Sequence, residues 1–286
     1  MNQPIYRNLP FLRSMPFIPK NLPKKSMNLR CEIAEDAKTI DEIQRFRAKV
    51  FGEAYNIHFD GGIDNDQFDQ YSIHILVRDV SNNKIVACTR IITPKAKEKL
   101  GRYYSESEFN LDEFLKGKTQ VYEIGRTCVD EAYRGGKVLA VLWMGMVPLI
   151  VNQLKAKHLI GTVSVNLGSS RKKIIATEGY LLKKAKLQKF TSLTPFDLET
   201  YLDDGAMGFL DNGEIVEKKV RKYRKKDVPS LIKKYRRVGA VFSEQGYYDA
   251  EFNCVDYFIS NKVNKSLLFK LSVVCKFIEL KKKKAA

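Results

Sequence analysis

One stretch constrains what this chain can fold into more than any other. Gln120-Val-Tyr-Glu-Ile-Gly-Arg-Thr-Cys-Val-Asp130 reads as a buried strand, Tyr133-Arg-Gly-Gly136 as a glycine turn, and the apolar run from Val138 to Val151 as a helix. A strand, a glycine turn and a helix in that order leave the first N–H groups of the helix free to hold an anion. The strand also carries two charges, Glu123 and Arg126. Charges in an apolar strand are paired or functional, because an unpaired buried charge is very costly. In a regular strand Val121, Glu123, Gly125 and Thr127 face one way and Tyr122, Ile124, Arg126 and Cys128 the other, so Glu123 and Arg126 would point apart. A bulge near Gly125 would bring them together and splay this strand from its neighbour, opening a slot in the sheet.

The 286 residues suffice for one large core or two smaller ones, and 44% hydrophobic with 11% aromatic content excludes disordered and collagen-like chains. Fifty Lys and Arg against 33 Asp and Glu leave +17, which predicts attraction to an anionic partner: nucleic acid, a lipid surface or an acidic protein. Zinc, helix-turn-helix and RNA-sheet signatures are absent and the charge is spread along the chain, so a basic nucleic-acid-binding protein is the rival reading and no nucleic acid is expected as partner. Five scattered cysteines without a C-x-x-C indicate neither a disulfide framework nor a metal site, and they read as reduced, in the cytoplasm. The run Val138 to Val151 contains Gly145 and Pro148 and falls short of the roughly 20 residues a spanning helix needs. The N-terminal stretch Ile5 to Ile18 is broken by Pro10 and Pro16 and has no signal-peptide core.

Residues 1–28 hold five of the nine prolines and read as an extended arm. Asn28 to Ala34 suits a first strand. From Ala37 to Tyr55, Ile40, Ile43, Phe46, Val50 and Phe51 recur at helical spacing, and Arg47 falls on that apolar stripe rather than on the wet face. Either Arg47 snorkels from the stripe's edge or it is aimed into a pocket. The acidic loop His58 to Asp69 has a non-ligating Phe68 at the fifth position of a calcium pattern and no glycine at the sixth, which rejects a calcium hand. Its carboxylates are solvated, or else Asp66 or Asp69 recognises a substrate ammonium or buttresses Arg47.

Ser72–Val80, the turn Ser81-Asn82-Asn83 and Lys84–Ile92 form a hairpin signal, and Arg90 in its second strand wants a partner. Thr93 to Gly117 reads as loop with one short helix. Beyond the helix, Leu159–Val165 reads as a strand, and 171–226 as a basic insertion of helix and loop. Asp227 as cap, Pro229 in the first turn, the apolar face Val228, Leu231, Ile232, Tyr235 and Val238, and Gly239 as stop define a late helix. Lys233, Lys234, Arg236 and Arg237 cover its other side. Strands around Ala240–Phe242 and Cys254–Ile259 follow, and the tail 263–286 is a basic amphipathic helix able to lie on anionic lipid.

Arg47 with Phe51, Asp66 with Asp69, Arg90, and Glu123 with Arg126 are spaced as in acyl-homoserine-lactone synthases, and the whole pattern resembles the GNAT fold. Val228-Pro-Ser-Leu-Ile-Lys-Lys-Tyr-Arg-Arg-Val-Gly-Ala240, with Glu251-Phe-Asn-Cys-Val-Asp-Tyr-Phe258, is similar to the C-terminal region of the ornithine-acyl-carrier-protein N-acyltransferases, often labelled hemolysin-like, and favours that family over the lactone synthases. The resemblance covers about 30–165 and 225–262. It departs from the pattern at Arg134-Gly-Gly-Lys-Val-Leu139, which lacks the last two small residues of the usual acetyl-coenzyme A phosphate loop, and in having Tyr55 or Phe59 where the lactone synthases have tryptophan.

The resemblance implies an α/β (α+β) domain over 29–262, with a mixed, mostly antiparallel twisted sheet flanked by helices and a C-terminal extension. It implies transfer of a fatty acyl chain from an acyl-carrier-protein thioester, or from acyl-coenzyme A, to the α-amine of an amino acid, with no tightly bound cofactor and no metal. Glu123 would help take the ammonium proton, held by Arg126. Arg47 and Arg90 would bind the amino acid carboxylate, with Phe51, Asp66 and Asp69 beside the same substrate. Backbone N–H groups at Arg134, Gly135 and Gly136 would hold the pantetheine phosphate. Lys233, Lys234, Arg236 and Arg237 would dock an acidic carrier protein or an anionic membrane surface.

Overall fold

The computed structural model describes residues 28–168, 171–203 and 223–271. The expected arm 1–28 falls outside these, residue 28 apart, as do 204–222 of the basic insertion and 272–286 of the tail. In chain order the elements are β1 (Leu29–Ile33), α1 (Ala37–Tyr55), β2 (Ser72–Asp79), β3 (Lys84–Ile92), α2 (Pro94–Leu100), β4 (Phe109–Asn110), α3 (Asp112–Leu115), β5 (Val121–Val129), α4 (Lys137–Pro148) and β6 (His158–Asn166). There follow α5 (Arg171–Lys184), β7 (Lys186–Gln188), β8 (Thr191–Ser192), β9 (Pro195–Phe196), α6 (Leu198–Asp203), α7 (Ser230–Val238), β10 (Val241–Ser243), β11 (Gly246–Asp249) and β12 (Cys254–Lys262). The strands pair largely antiparallel and helices flank them, the mixed α/β arrangement expected. The chain divides into two compact units, one of 28–101 with 124–156, the other of 102–123 with the described residues from 157 onward; the boundary falls inside β5, after Glu123.

In the first unit β1, β2 and β3 form an antiparallel meander followed by the later part of β5. Asp36 caps α1 by accepting the Thr39 N–H at 2.7 Å, and Asn56 closes it in the left-handed region. The stripe read from sequence packs as read: Ile43 and Val50 lie in one core with Leu76, Ile85, Cys88 and Cys128, where each fully buried aliphatic side chain contributes about 1.5–3 kcal/mol. α4 packs against β1 at Gly145, where an added Cβ would stand 2.3 Å from Cys31 Sγ. The helix ends before Val151 because Pro148 lacks an N–H, and the chain continues as a π turn over Leu149–Gln153.

In the second unit β6 and β12 pair antiparallel from Asn166↔Cys254 to His158↔Lys262. β10 continues from β12 and β7 from β10, while the first residues of β5 run parallel to β6, from Val121↔His158 to Glu123↔Ile160. α5 and α7 bury Ile174, Tyr180 and Ile232 in one cluster with Phe242, Val255 and Tyr257.

Three readings need correction. Thr93–Gly117 holds more than the one short helix expected: beside α2, capped by Thr93, which accepts the Ala96 N–H at 3.1 Å, it forms a 3-10 turn over Tyr104–Ser107, β4 and α3. Strands β7, β8 and β9 lie in the segment read as helix and loop; they are two or three residues long, too short to register as alternation. Asp227 is not the cap of α7. Pro229 occupies that position, and Asp227 accepts the Arg224 Nε–H at 2.8 Å.

Candidate active site

Within the first unit the acidic loop, α1, β2, β3 and the later part of β5 bring together three arginines, three aspartates and a histidine. Arg47 projects from the buried face of α1 and is 1% exposed. Its Nη1 and Nη2 donate to the two oxygens of Asp69 at 3.0 and 2.6 Å, its Nε lies 2.8 Å from Asp64 Oδ2, and Nη2 also donates to the Asp64 carbonyl. Arg90, on β3, donates from Nη1 to Asp66 Oδ1 at 2.5 Å and Asp69 Oδ1 at 2.8 Å. Arg126 Nε stands 3.3 Å from Asp64 Oδ2 and its Nη2 3.5 Å from Asp66 Oδ2. Gln44 Nε2, one α-turn before Arg47, donates to Asp69 Oδ2 at 3.1 Å.

The cluster is charge-balanced, three guanidiniums against three carboxylates, and that balance is what makes burial tolerable. Burial works to raise Asp69, yet the hydrogen bonds and charge of Arg47, with the charge of Arg90, outweigh it and hold the carboxyl well below the usual range. His74 pairs across the sheet with Arg90, and its Nε2 lies 2.9 Å from the Asp69 carbonyl, which makes Nε2 the protonated nitrogen. Burial lowers the His74 pKa, Asp69 opposes this, and Arg47 and Arg90 lower it further, so the ring is neutral.

These contacts redirect two expectations. Arg47 and Arg90 are engaged by carboxylates of their own chain, with side chains 1% and 2% exposed, whereas Arg126 and Asp66 keep 15% and 22%. Phe51 packs into the α1 core beside Ile40 and Phe46, its ring 6.3 Å from Tyr55. Arg47 does not snorkel to solvent: its guanidinium is buried against Asp64 and Asp69. Asp64, Gln44 and His74 were not singled out from the sequence; the Asp64-x-Asp66 alternation was the available signal for the first, and for Gln44 its place one turn before Arg47.

The irregularity expected near Gly125 falls on Arg126, which adopts φ 49° inside β5. In the second unit Glu123, 1% exposed, accepts the Tyr104 N–H at 2.7 Å, the Ser105 N–H at 2.8 Å and the Ser105 hydroxyl. The sequence offers no signal for Ser105: it comes from a 3-10 turn, Tyr104–Ser107, eighteen residues earlier.

In the turn before α4, Gly135 and Gly136 take φ 138° and 98°, values that need glycine, and Arg134 is exposed with Nη1 3.3 Å from Glu131. On α7 the four cations differ. Arg237 is exposed; Lys233 donates to the Lys225 carbonyl at 3.2 Å; burial and the Arg237 charge lower Lys234; Arg236 Nε donates to Tyr180 Oη at 2.8 Å, its guanidinium over the ring. Asp249, Cys254 and Asp256 bring three possible metal-ligand atoms within 4.8 Å of one another. Burial, then Asp256, pushes the Cys254 thiol far up, and a protonated thiol is a poor ligand.

A family model described as Acetyltransferase (GNAT) domain matches residues 46–144, the span from α1 through most of α4 and the whole cluster. An L-ornithine N(alpha)-acyltransferase of Rhodobacter capsulatus is 23% identical over 250 residues, 80% of this chain and 88% of that protein. This chain is an acyltransferase similar to the GNAT family over residues 46–144. A second protein of the same name, from Rhizobium meliloti, is 34% identical over 131 residues, 41% of this chain and 44% of that one; a third, from Brucella abortus, is 24% identical over 245 residues, 81% of this chain and 83% of its own length. Among solved structures, the CoA-dependent acyl-homoserine lactone synthase BjaI, with SAM and isopentyl-CoA, aligns over 85% of this chain and 83% of its own at a TM-score of 0.46 and 10% identity. No described helix of the acyltransferase is long and apolar enough to cross a membrane.

Proposed function

We propose that this acyltransferase moves a fatty acyl group from a thioester to the α-amine of an ornithine-type amino acid. The observation that carries the reading is the charge-balanced cluster whose two partly exposed members are a guanidinium, Arg126, and a carboxylate, Asp66, 3.5 Å apart. That pair presents opposite charges at the separation of an amino acid's carboxylate and ammonium, so a zwitterion meets both without unbalancing the groups behind them. The role expected for Arg47 and Arg90 thus passes to Arg126, and the two buried arginines, with Asp69, become its foundation. The acceptor named for the relatives from Rhodobacter capsulatus, Rhizobium meliloti and Brucella abortus supports the choice of ornithine.

The neutral amine attacks the thioester carbonyl, the tetrahedral intermediate collapses, the C–S bond breaks and the thiol leaves with a proton. Glu123 takes the ammonium proton, directly or through water, its carboxylate fixed by Tyr104 and Ser105 rather than left to rotate. The N–H groups at the glycine turn of Arg134, Gly135 and Gly136 hold the donor's phosphate. An acidic carrier protein is the donor's bearer, drawn by the +17 charge with Arg237 the most exposed cation on α7. The enzyme works in the cytoplasm, peripheral to the membrane that receives its lipid product.

The test is direct: incubate the protein with acyl-carrier protein or acyl-coenzyme A and a panel of amino acids, and weigh the lipid product. An N-acyl amino acid, formed faster from the carrier-bound donor and slowed by salt, is expected; absence of any N-acyl product from either donor would sink the proposal. Glu123→Gln is expected to lower kcat at least 100-fold, within the range of general base catalysis of about 10²–10⁴, in a protein shown by circular dichroism to be folded at the assay temperature, because the amide turns an NH2 towards one of the donors from Tyr104 and Ser105 and lowers the melting temperature.

A further inference from the structure

We propose that Tyr133 is a positioning residue for the acyl donor: its hydroxyl, tied to Asp79 at the tip of the β2–β3 hairpin, fixes the near end of the glycine turn whose N–H groups meet the donor's phosphate. The proposal rests on the phosphate reading above and deepens it. All the residues concerned belong to the first unit. Asp79 is 5% exposed, and its Oδ1 accepts from the Ser81 N–H at 3.0 Å and from the Ser81 hydroxyl at 2.6 Å. With Oδ1 held in this way the carboxylate cannot swing, and its Oδ2 accepts from the Tyr133 hydroxyl at 3.0 Å. Ser81 first, against burial, and then Tyr133 keep the Asp79 carboxyl below its ordinary range, so the bond to Tyr133 is a charge-assisted one. Tyr133 Oη also accepts from Asn82 Nδ2 at 3.3 Å, and Asn82 is steadied in turn by the Lys84 N–H, which donates to its Oδ1 at 3.1 Å.

What needs positioning is the chain that follows. The N–H groups of Ala132, Tyr133 and Arg134 donate to Asp130 Oδ1, the Asp130 carbonyl and the Glu131 carbonyl at 2.9, 3.0 and 3.1 Å. The first N–H groups of the turn with no acceptor among the described residues are therefore those of Gly135 and Gly136, at φ 138° and 98°. Two glycines in succession have the widest backbone freedom, so the direction of their N–H groups is set by what holds the chain on either side. On the far side that is α4, whose Ala140 N–H donates to the Gly136 carbonyl at 3.1 Å. On the near side it is Tyr133, two residues before Gly135, whereas Arg134 is exposed and pairs with Glu131 of the same turn. Among the described residues nothing lies within 4 Å of where a Cβ on Gly135 would stand, so no side chain of theirs fills that face of the turn. A turn held at both ends receives a phosphate without first having to be ordered, and Tyr133 acts on the donor without touching it.

The experiment compares two small donors, an acyl thioester of phosphopantetheine and the same thioester of pantetheine, with ornithine as acceptor. The wild-type protein is expected to favour the phosphorylated donor by about tenfold or more in kcat/KM. Tyr133→Phe keeps the ring and removes the tether. It is expected to raise the KM for the phosphorylated donor about fivefold, roughly what one hydrogen bond is worth, to change that for the pantetheine donor less than about twofold, and to leave the KM for ornithine unchanged. A general loss of structure would move all three together. Asp79→Ala removes the acceptor from the other side of the same bond and is expected to give the same split. A folded variant of either kind that keeps the wild-type preference for the phosphorylated donor overturns the proposal. Wild-type protein that uses both donors equally well overturns the phosphate reading and the proposal with it, and wild-type protein that acylates nothing overturns the functional reading beneath both.

Discussion

Replacing Asp69 by asparagine is expected to be among the most destabilising single changes in the first unit. Its two oxygens accept from Arg47 at 3.0 and 2.6 Å, from Arg90 at 2.8 Å and from Gln44 at 3.1 Å, with the side chain 2% exposed. Asparagine keeps the shape but offers one acceptor oxygen and turns an NH2 towards donors. It also removes one of three balancing charges and leaves a buried guanidinium uncompensated, a loss of about 3–5 kcal/mol. Against a total stability of about 5–15 kcal/mol that is a fifth or more. The corresponding fall in Tm is about 6–20 °C, at roughly 2–4 °C per kcal/mol for a chain of 150–250 residues. Urea titration and thermal circular dichroism at pH 7 measure both. The paired variant Arg47→Met with Asp69→Leu removes one charge of each sign, and the remaining pairs Arg90–Asp66 and Arg126–Asp64 stay balanced. It is expected to recover at least half of the loss, since a buried ion pair replaced by apolar groups of similar volume is often neutral. A loss below about 1 kcal/mol for Asp69→Asn would refute the argument, because burial, not solvent, would then have been overestimated as the cluster's medium.

His74 gives a pH signature: its folded pKa lies below the ordinary value, so its contribution to stability is present above that value and is lost as pH falls through the folded pKa. Urea midpoints should therefore fall from pH 8 to pH 5, and His74→Gln, whose amide can donate to the Asp69 carbonyl, should flatten that slope. Ser105→Ala removes the hydroxyl that donates to Glu123 while the two backbone N–H groups remain, and is expected to lower kcat about tenfold, the equivalent of about 1.4 kcal/mol, with a melting change of only a few degrees. Gly145→Ala places a Cβ 2.3 Å from Cys31 Sγ and 2.8 Å from its Cβ, so α4 must move off β1; a loss of about 1–3 kcal/mol in urea unfolding is expected, and native stability would contradict the close approach.

What the sequence revealed about this site depended on periodicity. Arg47 stood out because a charge at 100° spacing on an apolar stripe either snorkels or is buried with its helix, and α1 has the bounds its spacing indicated. β2 and β3 were legible because their apolar runs flank a polar turn. The partners were not. A buried charge announces that it needs a counter-charge but says nothing of where in the chain it lies: Arg126 meets Asp64, 62 positions earlier, and Glu123 meets a serine in a 3-10 turn of four residues. The segment Thr93–Gly117, read as loop with one short helix, does hold that helix as α2, but β4 of two residues and α3 of four are too short to show a period in the sequence.

On the proposed function, the charge balance accounts for recognition groups at the edge of the cluster and not at its centre. Coulomb interactions strengthen as water is excluded, so a lone substrate charge delivered to Arg47 or Arg90 would have to displace an Asp69 or Asp66 carboxylate already bonded at 2.5–3.0 Å. No acceptor has the free energy to do that and turn over. Arg126 and Asp66 are the partly exposed members of the cluster, and the contact between them, 3.5 Å from Nη2 to Oδ2, is longer than the 2.5 Å by which Asp66 holds Arg90. A carboxylate alone would leave the site one charge negative and an amine alone one charge positive, each in a medium where imbalance costs several kcal/mol. The proposed function therefore predicts selection for an amino acid over a fatty acid or a simple amine, with the buried arginines setting the charge that the substrate must match.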